Sequence, residues 1–233
     1  NVPLPDINRT FRPDFPIRWI AQAYQGMWRA DKEELLWQFR LGLNSKHELL
    51  GHGPPGHGIN PVHARDAVKE AHPEYFALQG GLPGKSSTRA AGRGAGEPCL
   101  SSEELMKANV AYVRAMFDHY DEPLVNVTPA DGYSTLCQCP LCEGRDMPER
   151  GKKGKLSDYV WQYVNEVAER VYKSHPDRMV SGLAYTTYQK PPQMIERLPP
   201  NVAVVMCRWR SRFHDPEVRK MFLDMRKGWL QKM

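Results

Sequence analysis

Apolar and polar residues along the chain follow two periods, one typical of strands and one typical of helices. Short β-branched runs predict buried strands that begin at Leu124, Val180 and Asn201. Apolar residues three or four positions apart predict amphipathic helices that begin near Ser101 and Ser157 and over residues 217–232. Strands that alternate with helices of this length favour an α/β fold with a mostly parallel sheet.

The N-terminal part of the chain fits the same scheme after a proline-rich start. Residues 1–15 predict an extended lead-in, and residues 16–233 predict one α/β domain. Within this domain, residues 79–98 contain six glycines and predict a flexible surface insertion. About five strand and helix units can be counted, and a complete (β/α)8 barrel needs about 250 residues, so a TIM-type barrel that is incomplete in this chain fits best. A doubly wound open sheet is the alternative, but no G-x-G-x-x-G motif supports its dinucleotide-binding form.

An aspartate follows the central predicted strand directly. The sequence TPADG places Asp131 in a turn just beyond the strand that begins at Leu124. In α/β folds, ligands are bound at the carboxyl ends of parallel strands, so Asp131 is a candidate catalytic residue. An aspartate before glycine also commonly caps a turn, and that structural role stays open.

Three cysteines follow the same strand within six residues. Cys137, Cys139 and Cys142 form a C-x-C-x-x-C segment, and the chain has two further cysteines, Cys99 and Cys207. Closely spaced thiolates are typical of structural zinc sites, whose fourth ligand here would be Cys99, Cys207 or a histidine. The same spacing is compatible with a disulfide or with free thiols, and spacing alone does not decide between these.

Histidines and aromatic residues near the predicted strand ends suggest a ligand surface. The residues that could contact a sugar through hydrogen bonds or ring stacking are His52, His57, Tyr185, Trp209 and His214. Each aromatic residue could equally belong to the core or rim. No H-x-H or H-E-x-x-H spacing predicts a histidine-rich metal site.

Charge and composition argue against nucleic-acid binding and against a membrane span. The net charge is +5 and both signs are scattered along the chain. The basic segment 145–155 contains acids and glycines but no aromatic residue, so we interpret it as a mobile loop and expect no nucleic-acid binding. No apolar run of about eighteen residues predicts a membrane span. Because the chain begins at Asn1 without a signal peptide, we expect a processed protein or a piece of a longer one.

Several distinctive motifs follow one another along the chain. They are HPEYFAL at 72–78, Cys99-Leu100, TPADG at 128–132 with the C-x-C-x-x-C segment, Ser157-Asp158 before VNEVA at 164–168, and LAY at 183–185 leading to Pro191-Pro192. In this order they resemble a known bacterial family, domain of unknown function number 4838, which includes the endo-β-N-acetylglucosaminidases of glycoside hydrolase family 163. The likeness covers residues from about 15 to 229.

The resemblance implies a glycosidase barrel in an exported, extracytoplasmic protein that acts on β-linked N-acetylglucosamine-containing glycans. Such enzymes commonly use the acetamido group of the substrate as nucleophile, so the protein supplies an acid and a carboxylate that orients the acetamide. Asp131 would take one of these roles. The chain departs from the family pattern in its long insertion and in stopping where further barrel strands are expected. The alternatives are a non-catalytic carbohydrate-binding barrel and a zinc-stabilised interaction domain.

Overall fold

The computed structural model describes residues 40, 57–59, 62, 66–79, 97–129, 131–208 and 210–233. The chain divides into two compact units, Asn1–Leu49 and Leu50–Met233. Apart from Arg40, all described residues belong to the second unit. The predicted lead-in at 1–15 and the body of the insertion, residues 80–96, lie outside the described residues.

Helices and strands of the described residues lie close to their predicted positions. The helices are α1 (Asp66–Ala71), α2 (Glu103–Tyr120), α3 (Ser157–Tyr172) and α4 (Pro216–Leu230), and the strands are β1 (Leu124–Asn126), β2 (Met179–Ala184) and β3 (Val202–Met206). None of the helices in this part of the chain is long and apolar enough to cross a membrane.

The three strands form one parallel sheet in the order β1-β2-β3. Asn126 lies opposite Ser181, and Ala184 lies opposite Met206. Helix α3 connects β1 to β2, as a parallel pair requires. The connection from β2 to β3 contains one short 3-10 helix, Thr186–Tyr188, and then the Pro191-Pro192 pair. Because proline lacks the amide hydrogen that a helix interior needs, the 3-10 helix does not continue through this pair. Three strands do not close a ring, so the (β/α)8 barrel stays a prediction.

Helix α3 is the centre of the hydrophobic core. Trp161 is fully buried, and its indole nitrogen donates a hydrogen bond to the carbonyl oxygen of Tyr188 at 3.0 Å. A Cβ atom at Gly182 of β2 would lie 2.8 Å from the Trp161 ring, so glycine is needed for the helix to pack this closely on the sheet. On α4, Trp229 packs against Trp161 with ring centroids 4.4 Å apart and the ring planes tilted by 57°. Burial of these large aromatic surfaces is the main stabilisation of the packing between α3, the sheet and α4.

The cap of α2 differs from the predicted one. The sequence predicts a helix that begins near Ser101, but the N-cap is Ser102, whose hydroxyl accepts a hydrogen bond from the amide of Leu105 at 3.3 Å. Ser102 has the extended backbone that an N-cap requires. The hydroxyl of Ser101 is thereby left for other contacts.

The basic segment 145–155 is ordered by hydrogen bonds, contrary to the predicted mobile loop. The Arg150 side chain is 9% exposed, and its guanidinium lies 2.5 Å from Asp158. Asp158 also accepts hydrogen bonds from the backbone amides of Gln193 and Met194. This buried ion pair joins the start of α3 to the loop after β2, so the Arg150 charge serves the fold rather than a polyanion.

Candidate functional site

The turn that carries Asp131 is held at its base by a buried amide. The side-chain oxygen of Asn126, the last residue of β1, accepts hydrogen bonds from the amides of Gly58 at 3.2 Å and Thr128 at 2.9 Å. Its side-chain nitrogen donates to the hydroxyl of Ser181 at 3.1 Å. A Cβ at position 58 would lie 1.6 Å from the carbonyl oxygen of Asn126, so only glycine permits this approach. Asn126 therefore fixes the 57–59 segment and the turn after β1 to each other.

His57, Asp131 and Tyr185 meet at the carboxyl ends of β1 and β2. The Nδ1 atom of His57 lies 2.6 Å from the carbonyl oxygen of Pro129, so it carries the hydrogen and leaves Nε2 facing Asp131. Nε2 lies 3.9 Å from the Asp131 carboxylate, which is 64% exposed. The His57 ring also meets the Tyr185 ring edge-on, with centroids 6.0 Å apart. Asp131 therefore lies just beyond the carboxyl end of β1, as the sequence predicts. Two predicted sugar-contact residues, His57 and Tyr185, lie beside it.

The distance between His57 and Asp131 suits a bridging group. At 3.9 Å, Nε2 and the carboxylate oxygen are too far apart for a direct hydrogen bond. One hydroxyl oxygen can lie about 2.8 Å from both atoms at once, which is a normal hydrogen-bond length. A ligand hydroxyl has one hydrogen, so it bridges the pair only when Nε2 is also protonated and donates to it while it donates to the carboxylate. A group with two hydrogens on one nitrogen or oxygen can donate to both atoms when Nε2 is not protonated. The half-buried Tyr185 ring lies next to this position.

Backbone strain lies beside this pair. Thr186 follows Tyr185 directly and has a φ of 41°, a left-handed conformation that is costly for a β-branched residue. Its buried hydroxyl oxygen has no hydrogen-bond partner among the described residues. The next residue, Thr187, donates from its hydroxyl to the carbonyl oxygen of Tyr133 at 2.9 Å, which joins the turns after β1 and β2. Strain of this kind is often retained at functional sites.

The remaining predicted contact residues have different positions. His214 is exposed and lines a surface groove with residues of α4, including Arg219 and Leu223. No contact between His214 and Asp131 is found among the described residues. His52 and Trp209 lie outside the described residues.

A second cluster is formed by four buried cysteines. The sulfur atoms of Cys99, Cys137, Cys139 and Cys142 all lie within 4.8 Å of one another and could hold a metal ion. The Sγ atoms of Cys99 and Cys139 are 3.8 Å apart, those of Cys99 and Cys142 are 3.7 Å apart, and those of Cys139 and Cys142 are 3.6 Å apart. Of the fourth ligands that the sequence left open, the structure brings Cys99 to the cluster.

The disulfide alternative does not describe this arrangement. All five cysteines are free thiols, and the sulfur separations exceed the length of about 2.05 Å that a disulfide requires. Cys207 is half-buried at the end of β3, away from the cluster. Burial, and after it the negative charge of Asp131, raises the pKa of the Cys207 thiol. Cys207 is therefore kept neutral, which argues against a role as nucleophile.

Hydrogen bonds between the cysteines shift the pKa values of two of them in opposite directions. Hydrogen bonds from Cys137 and Cys99 hold the pKa of Cys142 well below its ordinary value, whereas hydrogen bonds to Cys137 and Cys142 raise that of Cys99. A thiolate is the form of cysteine that binds metal ions.

The cluster joins segments that are distant in sequence. The Cys137 sulfur accepts a hydrogen bond from the amide of Leu78 at 3.2 Å, and the amide of Gln138 donates to the carbonyl oxygen of Leu78 at 2.8 Å. Cys99 lies just before α2, and its amide donates to Tyr75. The loop that carries Asp131 is thus tied at the cysteine segment to residues on both sides of the 80–96 insertion.

A family model described as Domain of unknown function (DUF4838) matches residues 1–231. The chain belongs to this family. No curated protein and no solved structure matches it. The family description of this DUF4838 domain assigns no activity, so its function has to be argued from the two clusters.

Some residues of both clusters carry no signal in the sequence. Gly58 and Asn126 position the Asp131 turn, but a glycine in a Gly-Pro-rich stretch and an asparagine within a strand are common features. Tyr159 and Ser101 contact the Cys142 sulfur, and their spacing from the cysteines follows no metal-site pattern. A three-dimensional structure is needed to find residues of this kind.

Proposed function

We propose that this DUF4838 domain is part of a glycoside hydrolase that acts on β-linked N-acetylglucosamine-containing glycans, as the resemblance to glycoside hydrolase family 163 implies. The sheet edge that carries Asp131 would bind the sugar. The zinc-bound cysteine cluster would hold the Asp131 loop in place. We also propose that the protein works outside the cytoplasm, where glycans of this class are encountered.

The observation that carries this proposal is the meeting of His57, Asp131 and Tyr185 at the carboxyl ends of two parallel strands. A carboxylate, an imidazole and an aromatic edge are the groups that commonly contact sugars, through hydrogen bonds to hydroxyls and through ring packing. The Asp131 carboxylate is 64% exposed and can be reached by a ligand. The strained Thr186 beside it supports a functional role for this edge.

Asp131 has two candidate roles in the reaction. Substrate-assisted hydrolysis needs a group that protonates the leaving oxygen and a carboxylate that orients the 2-acetamido group. Asp131 can fill either role, and His57 Nε2, which lies 3.9 Å from its carboxylate, can contact a neighbouring polar group of the same sugar. Tyr185 would lie beside the bound ring.

The sulfur separations support zinc as the metal. In a tetrahedral site with Zn–S bonds of about 2.3 Å, neighbouring sulfur atoms lie roughly 3.8 Å apart. The observed separations among Cys99, Cys139 and Cys142 are 3.6–3.8 Å. Four thiolates with no open position are typical of structural zinc. The metal would therefore stabilise the loop and leave the chemistry to the sheet edge.

The test of the enzymatic proposal is turnover by the full-length protein. Asp131→Asn should lower the release of new reducing ends from an N-glycan core by about a hundredfold or more, the scale expected when acid or base catalysis is lost. The melting temperature should stay unchanged because the side chain is exposed. Asp177→Asn is the matched control, since Asp177 is a 75% exposed aspartate just before β2, at the opposite end of that strand.

Two outcomes of this experiment would contradict the proposal. Wild-type turnover in Asp131→Asn would remove Asp131 from the mechanism. Binding of N-acetylglucosamine oligomers without any release of reducing ends would instead indicate a non-catalytic carbohydrate-binding barrel.

The four-cysteine cluster favours a second candidate, a zinc-stabilised interaction domain. In that case the cluster would be the main element of the site, and neither glycan turnover nor glycan binding would be detected. Zinc removal by a chelator would lower the melting temperature under both proposals. Only the glycan assay separates them.

A further inference from the structure

The surroundings of Cys142 differ from those of the other cysteines in the cluster. Its sulfur lies 3.2 Å from the hydroxyl of Tyr159 and 3.2 Å from the hydroxyl of Ser101. Tyr159 belongs to α3 and is 3% exposed, and Ser101 lies at the start of α2. Cys142 is therefore the point at which the cluster meets the two helices.

The direction of these hydrogen bonds follows from the chemistry of a bound thiolate. A metal-bound sulfur has no proton and can only accept, so the hydroxyls of Tyr159 and Ser101 are the donors. The guanidinium of Arg145 donates to the Ser101 oxygen at 3.2 Å, so the Ser101 hydrogen points away from Arg145. Two acceptors then lie within its reach, the Cys142 sulfur at 3.2 Å and the Tyr159 oxygen at 3.5 Å, and the thiolate is the nearer and the charged one. The result is a directed chain from Arg145 through Ser101 to Cys142.

These donors oppose the charge of a tetrathiolate site. Four thiolates and one divalent zinc ion have a net charge of −2, which is costly in a buried environment. Tyr159 and Ser101 donate to the Cys142 sulfur, and the amide of Leu78 donates to the Cys137 sulfur at 3.2 Å. Arg145 places a positive charge at the solvent end of the chain.

We propose that Tyr159 and Ser101 are positioning residues of the metal centre, which raise its affinity for zinc and join it to α3 and α2. The proposal rests on the zinc site put forward above. Hydrogen-bond partners of metal ligands typically change metal affinity by about 10–100-fold when they are removed.

Helix α3 offers a matched control for Tyr159. Tyr163 lies one turn later, is 2% exposed, and its hydroxyl accepts a hydrogen bond from the side-chain nitrogen of Asn109 at 2.9 Å. Tyr163→Phe and Tyr159→Phe each remove one buried phenolic hydroxyl from the same helix. Only Tyr159→Phe removes a donor to a cysteine sulfur.

The experiment measures zinc affinity by competition with a chromophoric chelator, and the absorption spectrum of the protein loaded with Co2+. Tyr159→Phe should weaken zinc binding about 10–100-fold and shift the sulfur-to-cobalt charge-transfer band, because one donor to the thiolate is lost. Ser101→Ala should act in the same direction. Tyr163→Phe should leave the zinc affinity and the cobalt spectrum as in the wild type, even though it lowers the melting temperature.

The outcomes separate this inference from the zinc proposal itself. Wild-type zinc binding together with unchanged affinity and spectrum in Tyr159→Phe would overturn the positioning role alone. Equal losses of affinity in Tyr159→Phe and Tyr163→Phe would also overturn it, because the effect would then be one of helix stability. A wild-type protein that binds neither zinc nor cobalt would overturn the zinc site and this inference together.

Discussion

Replacing one cysteine of the cluster tests which sulfur atoms hold the metal. Cys99 comes from outside the C-x-C-x-x-C segment, 38 residues before Cys137, and the structure brings it within 3.7 Å of Cys142. Cys207 is the only other cysteine outside the segment and lies away from the cluster. Cys99→Ser and Cys207→Ser therefore form a matched pair, since each removes one sulfur atom and adds one hydroxyl oxygen.

The size of the effect follows from the number of ligands. Structural zinc sites bind with about 10–16 kcal/mol at pH 7, so one of four equal ligands contributes roughly 2.5–4 kcal/mol. Since each 1.4 kcal/mol is a tenfold change, Cys99→Ser should weaken zinc binding by about 60–700-fold. Cys207→Ser should change the zinc affinity by less than about twofold, because Cys207 is not a ligand.

Both quantities can be measured by chelator competition at pH 7 on protein purified under reducing conditions. Far-UV circular dichroism at low temperature should be recorded first, so that zinc affinity is compared only between folded proteins. Wild-type affinity in Cys99→Ser, or an equal loss in Cys207→Ser, would refute the assignment of the four ligands.

Two further predictions concern the sheet edge. Gly58→Ala should lower the free energy of unfolding by about 3 kcal/mol or more and the melting temperature by roughly 6–12 °C, because the added Cβ would lie 1.6 Å from the Asn126 carbonyl oxygen. An unchanged melting temperature would show that this close approach does not exist in solution. Thr186→Gly should raise the melting temperature by roughly 2–4 °C, because relief of about 1–3 kcal/mol of backbone strain exceeds the entropy cost of glycine. Its glycan turnover should fall if the strain serves the site, and a lower melting temperature would contradict the strained conformation.

Much of the fold could be predicted because strands and helices have local signals. The β-branched run that becomes β3 and the helical period of α3 both lie where the sequence places them. The N-cap of α2 is shifted by one residue because Ser101 and Ser102 are both serines, and only the backbone conformation decides between them. The ion pair between Arg150 and Asp158 could not be predicted from the sequence. Charge composition does not reveal that a partner eight residues away, in a neighbouring element, is in contact.

In the candidate sites too, features with a local sequence signal could be predicted, whereas contacts between distant residues could not. Asp131 at the sheet edge could be predicted, since a turn after a strand leaves few other places for its side chain. The C-x-C-x-x-C segment also could be recognised, but the choice of Cys99 over Cys207 depends on chain folding over a long sequence distance. The hydroxyl of Tyr159 is found only in three dimensions, because its residue otherwise looks like an ordinary core position of α3.

X-ray absorption at the zinc K-edge of the purified protein tests the metal centre most directly. We predict one zinc ion per chain with a shell of four sulfur atoms at about 2.3 Å and no nitrogen or oxygen ligand. A mixed shell of sulfur with nitrogen or oxygen, or protein that contains no zinc after purification with zinc present, would contradict it.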